Sequence, residues 1–267
     1  MPPHVAVALY GFVRNAAEEN YNFSRMLRDN LPPYIRDMFI FTMSDQHEKG
    51  FTETNKKITI DVLKKIYQGF NVIAHIWDYN PEMFKHLVPE EYKKLYDLPG
   101  SGRVYRLYSQ VYHTCQAIQF VLDNEDPNHP YDYILLTRPD TYLYHFSEKV
   151  FTIKDYIPHK PLITPLKDFP HITEACDHFI VLPRAFAEAR AACFQNLTRY
   201  LHEFFLPNNI LPWCEACFGY HDYVFNIPKQ LCYLYDACIQ HYQNKLQICK
   251  KMFEEEKVAS SSTNLET

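Results

Sequence analysis

Apolar and polar positions along this chain fall into blocks that switch between two periods. Val5 to Tyr10 is an unbroken apolar run closed by Gly11, the pattern of a strand buried on both faces. Glu18 to Leu31 changes to helical spacing, with Phe23, Met26, Leu27 and Leu31 on one face and Pro32-Pro33 as its stop. A second strand is expected over Asp37 to Thr42, a short helix over Thr59 to Gly69, and a third strand over Asn71 to Trp77. A long helix then runs from Gly102 to about Leu122, its buried stripe made of Val104, Leu107, Val111, Cys115, Ile118 and Leu122. The strongest strand signal spans Tyr131 to Tyr144. Short strands are expected at Pro161 to Leu166 and His178 to Leu182, followed by a second long helix from Arg184 to Leu206 that Pro207 ends.

Strands alternating with helices argue for βαβ units, hence an α/β fold with a mainly parallel sheet covered on both faces. No linker divides the pattern, so one domain is expected over 1–258 and a disordered polar tail over 259–267.

Composition narrows the function. The chain has 267 residues, 47% of them hydrophobic, enough for one substantial core. A formal net charge of -5 argues against a nucleic-acid partner, which needs a basic footprint. No stretch approaches the roughly 18 apolar residues of a membrane span. The start, Met-Pro-Pro-His, leads directly into the first apolar run without the pattern of a signal peptide. A cytoplasmic, reducing compartment is therefore expected, with the eight cysteines as free thiols. In that compartment the sequons at Asn22 and Asn196 are chance matches.

In open α/β sheets, ligands sit beyond the carboxyl ends of the strands. At the first such end, Gly11 lets a backbone approach a ligand closely and Arg14 can pair with a phosphate; the plainer alternative is a turn and a surface arginine. At the third, Trp77 can stack on a base and Asp78 can bond a ribose hydroxyl, or they are a core tryptophan and a turn aspartate. On the long helix, Arg103, Arg106 and Gln110 share a face away from the apolar stripe. Arginines in a first turn oppose the helix dipole, which an anionic ligand would offset. In Thr137-Arg138-Pro139-Asp140, Pro139 breaks the ladder. Asp140 can then bind Mn²⁺ or Mg²⁺, which favour oxygen ligands and share them with substrate phosphates, or it can pair with Arg138.

Gly11-x-x-Arg14, Phe39-Ile-Phe-Thr42, Ser109-Gln110 and Tyr131-Asp-Tyr-Ile-Leu-Leu-Thr-Arg-Pro-Asp140 together resemble a group of GT-A glycosyltransferases found in bacteria and large DNA viruses. The resemblance covers roughly residues 5 to 230. It implies a Rossmann-like, mainly parallel mixed sheet flanked by helices, and transfer of a sugar from a nucleotide-diphosphate donor to a hydroxyl of a glycan or other acceptor. UDP-sugars are favoured by their frequency in the fold class. By resemblance, Arg-Pro-Asp140 replaces the Asp-x-Asp motif that holds a divalent ion, although Tyr142 stands where a second Asp would fall. Donor contacts go by resemblance to Tyr10, Gly11, Arg14, Arg103 and Arg138. Asp177 falls beside the transferred sugar, Glu215 to Asp222 on the acceptor side, and His221 in the metal shell. Asp177, Glu215 and Asp222 compete as the base that takes the acceptor proton.

Three other readings compete. Cys214-x-x-Cys217 with His221 suggests zinc, but one Cys pair without a second leaves buried thiols as the default. A sugar nucleotidyltransferase would carry a glycine-rich loop after the first strand, where this chain has one glycine. A non-catalytic nucleotide-sugar or glycan binder fits the missing second Asp. Among the aromatics, Trp213, Phe218 and Tyr220 are candidates for an acceptor platform.

Overall fold

The computed structural model describes residues 3–13, 35–44, 58–80, 82–92, 104–139, 141–143, 162–163, 168–169, 172–173, 179–208, 210, 212–227, 230–231 and 237–239. The expected helix at Glu18 to Leu31 and the site residues Arg14, Arg103, Asp140 and Asp177 lie outside them.

Five strands carry the main sheet: β1 (Val5–Tyr10), β2 (Asp37–Met43), β3 (Asn71–Trp77), β4 (Tyr133–Thr137) and, numbered in chain order, β9 (Phe179–Pro183). The strands β5 (Thr141–Leu143), β6 (Leu162–Ile163), β7 (Asp168–Phe169), β8 (Ile172–Thr173), β10 (Gln230–Leu231) and β11 (Ala237–Ile239) are shorter. The sheet order is β10-β6-β9-β4-β1-β2-β3. β1 pairs parallel with β2 and β4, and β2 with β3, whereas β9 runs antiparallel to β4. The result is the expected mainly parallel mixed sheet.

Strand alternation divides the core. Val5, Val7 and Leu9 of β1 join Met38, Ile40 and Leu135 on one face, covered by Leu63 and Tyr67 of the segment around α1 (Ile60–Ile66). Ala6, Ala8 and Tyr10 join Phe39, Phe41 and Leu136 on the other face, under Ala117, Ile118 and Val121 of α3 (Val104–Asn124). The two alanines leave room for α3 to lie close to the sheet. α1 starts where Thr59 Oγ1 accepts the Val62 amide at 3.3 Å, and Gly69 turns the chain at φ 102°.

The short α2 (Glu82–Lys85), α4 (Ala187–Ala191), α5 (Cys193–Tyr200) and α6 (Cys214–Val224) complete the described α-helices. α3 runs opposite to the parallel strands. Its Tyr112 and His113 rings meet Trp77 at the end of β3, while Phe120 meets Phe39 and His75 further back. α5 returns along α3, with Phe194 against Tyr112 and Thr198 Oγ1 3.0 Å from the Tyr108 hydroxyl. α3 is thus buried on two sides, so Tyr108, Thr114, Ala117 and Val121 join Leu107, Val111, Cys115 and Ile118 of the expected stripe in the interior, while Leu122 is half-buried.

One expectation on local structure holds and one changes. The segment from Tyr131 to Tyr144 holds two strands in different sheets, since β5 pairs with β11 and not with β9. The break falls at Pro139, which has no amide proton for the ladder. The helix expected from Arg184 to Leu206 is segmented into a 3₁₀ turn (Arg184–Phe186), α4, α5 and a π turn (Leu201–Phe205), because local bonding shifts register within an otherwise helical pattern. No helix among the described residues is long and apolar enough to cross a membrane.

Candidate functional site

The carboxyl ends of β1, β2 and β3 lie side by side and are stitched into a rim. The Gly11 amide donates to Phe41 O at 3.1 Å, and Thr42 Oγ1 donates to Gly11 O at 2.8 Å. The Ser44 amide donates to Trp77 O at 2.9 Å, while Ser44 Oγ donates to Asp78 Oδ1 at 2.5 Å. Gly11 adopts φ 92°, where side chains are disfavoured, and a Cβ added there meets nothing within 4 Å among the described residues. No described side chain therefore covers the backbone at the end of β1.

Trp77 is half-buried and Asp78 exposed. The Trp77 indole packs on Tyr79 at 5.7 Å, Tyr112 at 5.6 Å and His113 at 5.3 Å between ring centroids. Beneath it His113 is 2% exposed, and its Nδ1 lies 2.5 Å from Ser109 O. A carbonyl only accepts, so Nδ1 carries the proton and Nε2 a lone pair. Burial pushes the His113 pKa down to about 4, against the opposing effect of the Ser109 carbonyl, so the ring is neutral near pH 7. Neither His113 Nε2 nor Trp77 Nε1 has a hydrogen-bond partner among the described residues.

The structure brings Gly11, Trp77 and Asp78 together at one rim. Arg106 is exposed on the amino-terminal part of α3 and Gln110 is half-buried one turn on. Since His113 lies under Trp77, Arg106 stands roughly 10 Å further along the helix axis. Arg138 is half-buried directly after β4. Tyr10 requires a correction as a donor contact: its side chain is 2% exposed in the layer between sheet and α3, which leaves its backbone at the strand end.

A second polar cluster lies beneath α6. Asp222 forms an ion pair with Arg190, their side chains 0% and 1% exposed. The Phe218 ring covers the guanidinium at 4.3 Å. Burial opposes the charge on Arg190, but the Asp222 carboxylate outweighs it and the pKa is raised. His221 Nε2 lies 2.6 Å from Ala189 O and Nδ1 2.7 Å from the Tyr200 hydroxyl. The first must donate and the second accept, so both nitrogens are engaged. Burial lowers the His221 pKa to about 4, partly offset by the Ala189 carbonyl.

This geometry corrects two readings. His221 is not a metal ligand in this arrangement, because no lone pair remains to face an ion. Asp222 is not a base for an acceptor hydroxyl, because its carboxylate is enclosed with Arg190. Glu215 is half-buried in the first turn of α6, roughly 10 Å along the axis from Asp222. Phe218 belongs to the core and not to an acceptor platform, whereas Trp213 and Tyr220 are half-buried, with Tyr220 stacked on Phe204 at 4.3 Å. Cys214 and Cys217 are buried free thiols, and burial raises the Cys217 pKa. No group of three or more His, Cys, Asp or Glu among the described residues is placed to hold a metal ion.

Among solved structures the chain is similar to mouse xyloside xylosyltransferase 1, at 11% identity over 87% of this chain and 85% of that one, with a TM-score of 0.44. It is similar to a glycosyltransferase involved in glycosylation of the major capsid of PBCV-1, at 10% identity over 86% and 82%, TM-score 0.41. A third similar structure is a 4-diphosphocytidyl-2C-methyl-D-erythritol synthase from Anaerococcus prevotii, at 9% identity over 94% and 96%, TM-score 0.47. No family model matches the chain, and no curated protein does. At these identities the residue roles rest on the chemistry of this chain alone.

Thr42, Ser44 and His113 had no place in the sequence reading of the site. Ser109 and His113 stand four apart in a helical pattern, a spacing that puts both on one face. Nothing in sequence tells which element that face meets.

Proposed function

We propose that this protein is a glycosyltransferase that moves a sugar from a nucleoside-diphosphate sugar, with UDP favoured, to a hydroxyl of a glycan or other acceptor. The observation that carries the reading is the Gly11 backbone, which no described side chain covers, beside a half-buried Trp77 and an exposed Asp78 held by Ser44. There the Trp77 face stacks on the base, Asp78 accepts from a ribose hydroxyl, and the Gly11 backbone admits the diphosphate. Arg14, Arg103, Arg106 and Arg138 neutralise the leaving diphosphate and Gln110 bonds it. The Asp140 carboxylate suits Mn²⁺ or Mg²⁺ by its hard oxygen donors, and when bound that ion supplies further charge neutralisation. With Asp222 enclosed, Asp177 and Glu215 remain as candidates to take the acceptor proton.

A thermal-shift panel of UDP-, GDP-, CMP- and dTDP-sugars with and without Mn²⁺, followed by donor turnover in wild type and Asp140→Ala, tests this reading. A ligand at 100 times its dissociation constant stabilises the fold by about 2.7 kcal/mol. The expected result is a shift with a UDP-sugar that needs Mn²⁺, and turnover lost in the folded variant. Binding without turnover in wild type would make the protein a non-catalytic binder. No shift with any donor sinks the proposal.

A further inference from the structure

β3 ends the main sheet on one side, and no described strand lies beyond it. Its seven residues, Asn71–Trp77, include no Asp, Glu, Lys, Arg, Pro or Gly. Its ladder with β2 runs without a bulge from Asp37↔Asn71 to Met43↔Trp77. Charged side chains, proline and bulges are the usual guards of an exposed edge, and β3 lacks all three. None of its residues is buried, whereas every residue of β1 is.

The edge is also self-complementary. Turned about a two-fold axis beside Ala74, it meets a second β3 antiparallel, with Val72 opposite Ile76, Ile73 opposite His75 and Ala74 opposite its own copy. No like charges face each other in that ladder. α1 is the crossover between the parallel strands β2 and β3, so it runs back along β3, and it packs against that strand. The same axis therefore sets α1 antiparallel to its copy. α1 carries Asp61 in its first turn and Lys64 and Lys65 in its last, all exposed, so the axis brings Asp61 of each copy toward the lysines of the other. Ile60 of the same helix is 46% exposed.

We propose that β3 is a dimerisation edge, on which two copies of this chain pair their β3 strands antiparallel and join two sheets into one. Strand direction reverses across the axis, so the two strand-end rims open on opposite sides of the dimer. Nothing in this pairing depends on what the rim binds.

The test follows the full chain by sedimentation velocity and amide hydrogen exchange from about 1 to 100 μM, with melting points to confirm folding. The variants are His75→Lys, Asp61→Lys, and the charge swap Asp61→Lys with Lys64→Glu and Lys65→Glu. His75 is exposed and stacked on Phe41 at 5.1 Å, a surface that a lysine stem also covers. The expected wild type is a dimer at the top of the range, with β3 amides that exchange faster once dilution releases the monomer. His75→Lys places a lysine opposite Ile73 at two symmetric points and is expected to weaken the dimer about tenfold. Asp61→Lys is expected to weaken it about threefold, and the charge swap to restore it. A wild type that stays monomeric throughout the range overturns the proposal. So does a dimer unweakened in folded His75→Lys, or β3 exchange that ignores concentration. Should His75→Lys fail to fold, the helix charges decide: dimerisation unchanged in Asp61→Lys, or not recovered in the swap, overturns the pairing.

Discussion

At the rim, Gly11, Ser44, Trp77 and Asp78 meet at the strand ends above His113, whose Nε2 has no partner among the described residues, whereas under α6 Asp222 pairs with Arg190 and His221 bonds Tyr200 and Ala189. Both regions hold a histidine whose pKa burial lowers to about 4, so depressed basicity does not tell a site from a scaffold. What separates the two histidines is bonding, although Arg190 beside His221 also keeps Nε and Nη2 without a hydrogen bond among the described residues. His221 has both nitrogens engaged and Asp222 meets an arginine, while His113 keeps a lone pair that meets no described group. The resemblance had given His221 a place in a metal shell and Asp222 a place among the candidate bases.

The comparison breaks most sharply at the ion pair. Asp222→Ala leaves the Arg190 charge buried and is expected to cost about 3–5 kcal/mol, read as a lost cooperative urea transition or an insoluble chain. Replacing both, as Arg190→Met with Asp222→Leu, should restore folding, because a paired charge in this core is interchangeable with apolar volume. Retained stability in Asp222→Ala alone would show that the cluster is not closed.

Acid should destabilise the fold through both histidines. Their folded pKa values lie below the usual 6.5, so the unfolded chain binds more protons between about pH 6.5 and 4. Stability is full above that window and falls as pH drops through it, by up to about 1.4 kcal/mol per pH unit for each histidine. Melting points from pH 7.5 to 4.5 check this, and His113→Phe should remove its share of the slope. A flat profile would contradict the buried, neutral state of both rings.

Smaller effects sharpen the rim. Gly11→Ala forces a side chain into φ 92° and is expected to cost about 1 kcal/mol, with no described atom within 4 Å of the added Cβ. Urea denaturation reads that cost; an unchanged midpoint would argue that the turn relaxes. Ser44→Ala frees the exposed Asp78 carboxylate and should move stability by less than about 0.5 kcal/mol. Its UDP affinity should still drop by a few fold if Asp78 is held for a ribose, and unchanged affinity would remove Ser44 from the site.

Much of the fold was legible. β1 falls where a continuous apolar run placed it, because a strand buried on both faces has no polar positions to blur its limits. The break at Pro139 was legible for a covalent reason, the missing amide proton. The segmentation between Arg184 and Leu206 was not, since a single 3₁₀ or π turn is too short to leave a period of its own in the apolar pattern.

The amino-acid sequence by itself determined the alternation of strands and helices, the strand ends at Gly11 and Asp78, and the chemistry available there. Propensity, periodicity and backbone restriction are local and act within a few residues. Only the tertiary structure decided that Asp222 meets Arg190, that His221 is spent between Ala189 and Tyr200, and that His113 comes to lie under Trp77. Those partners are 32, 21 or more positions apart in the chain. Burial and hydrogen bonding between such residues depend on how α3, α4 and α6 pack, which no local pattern encodes.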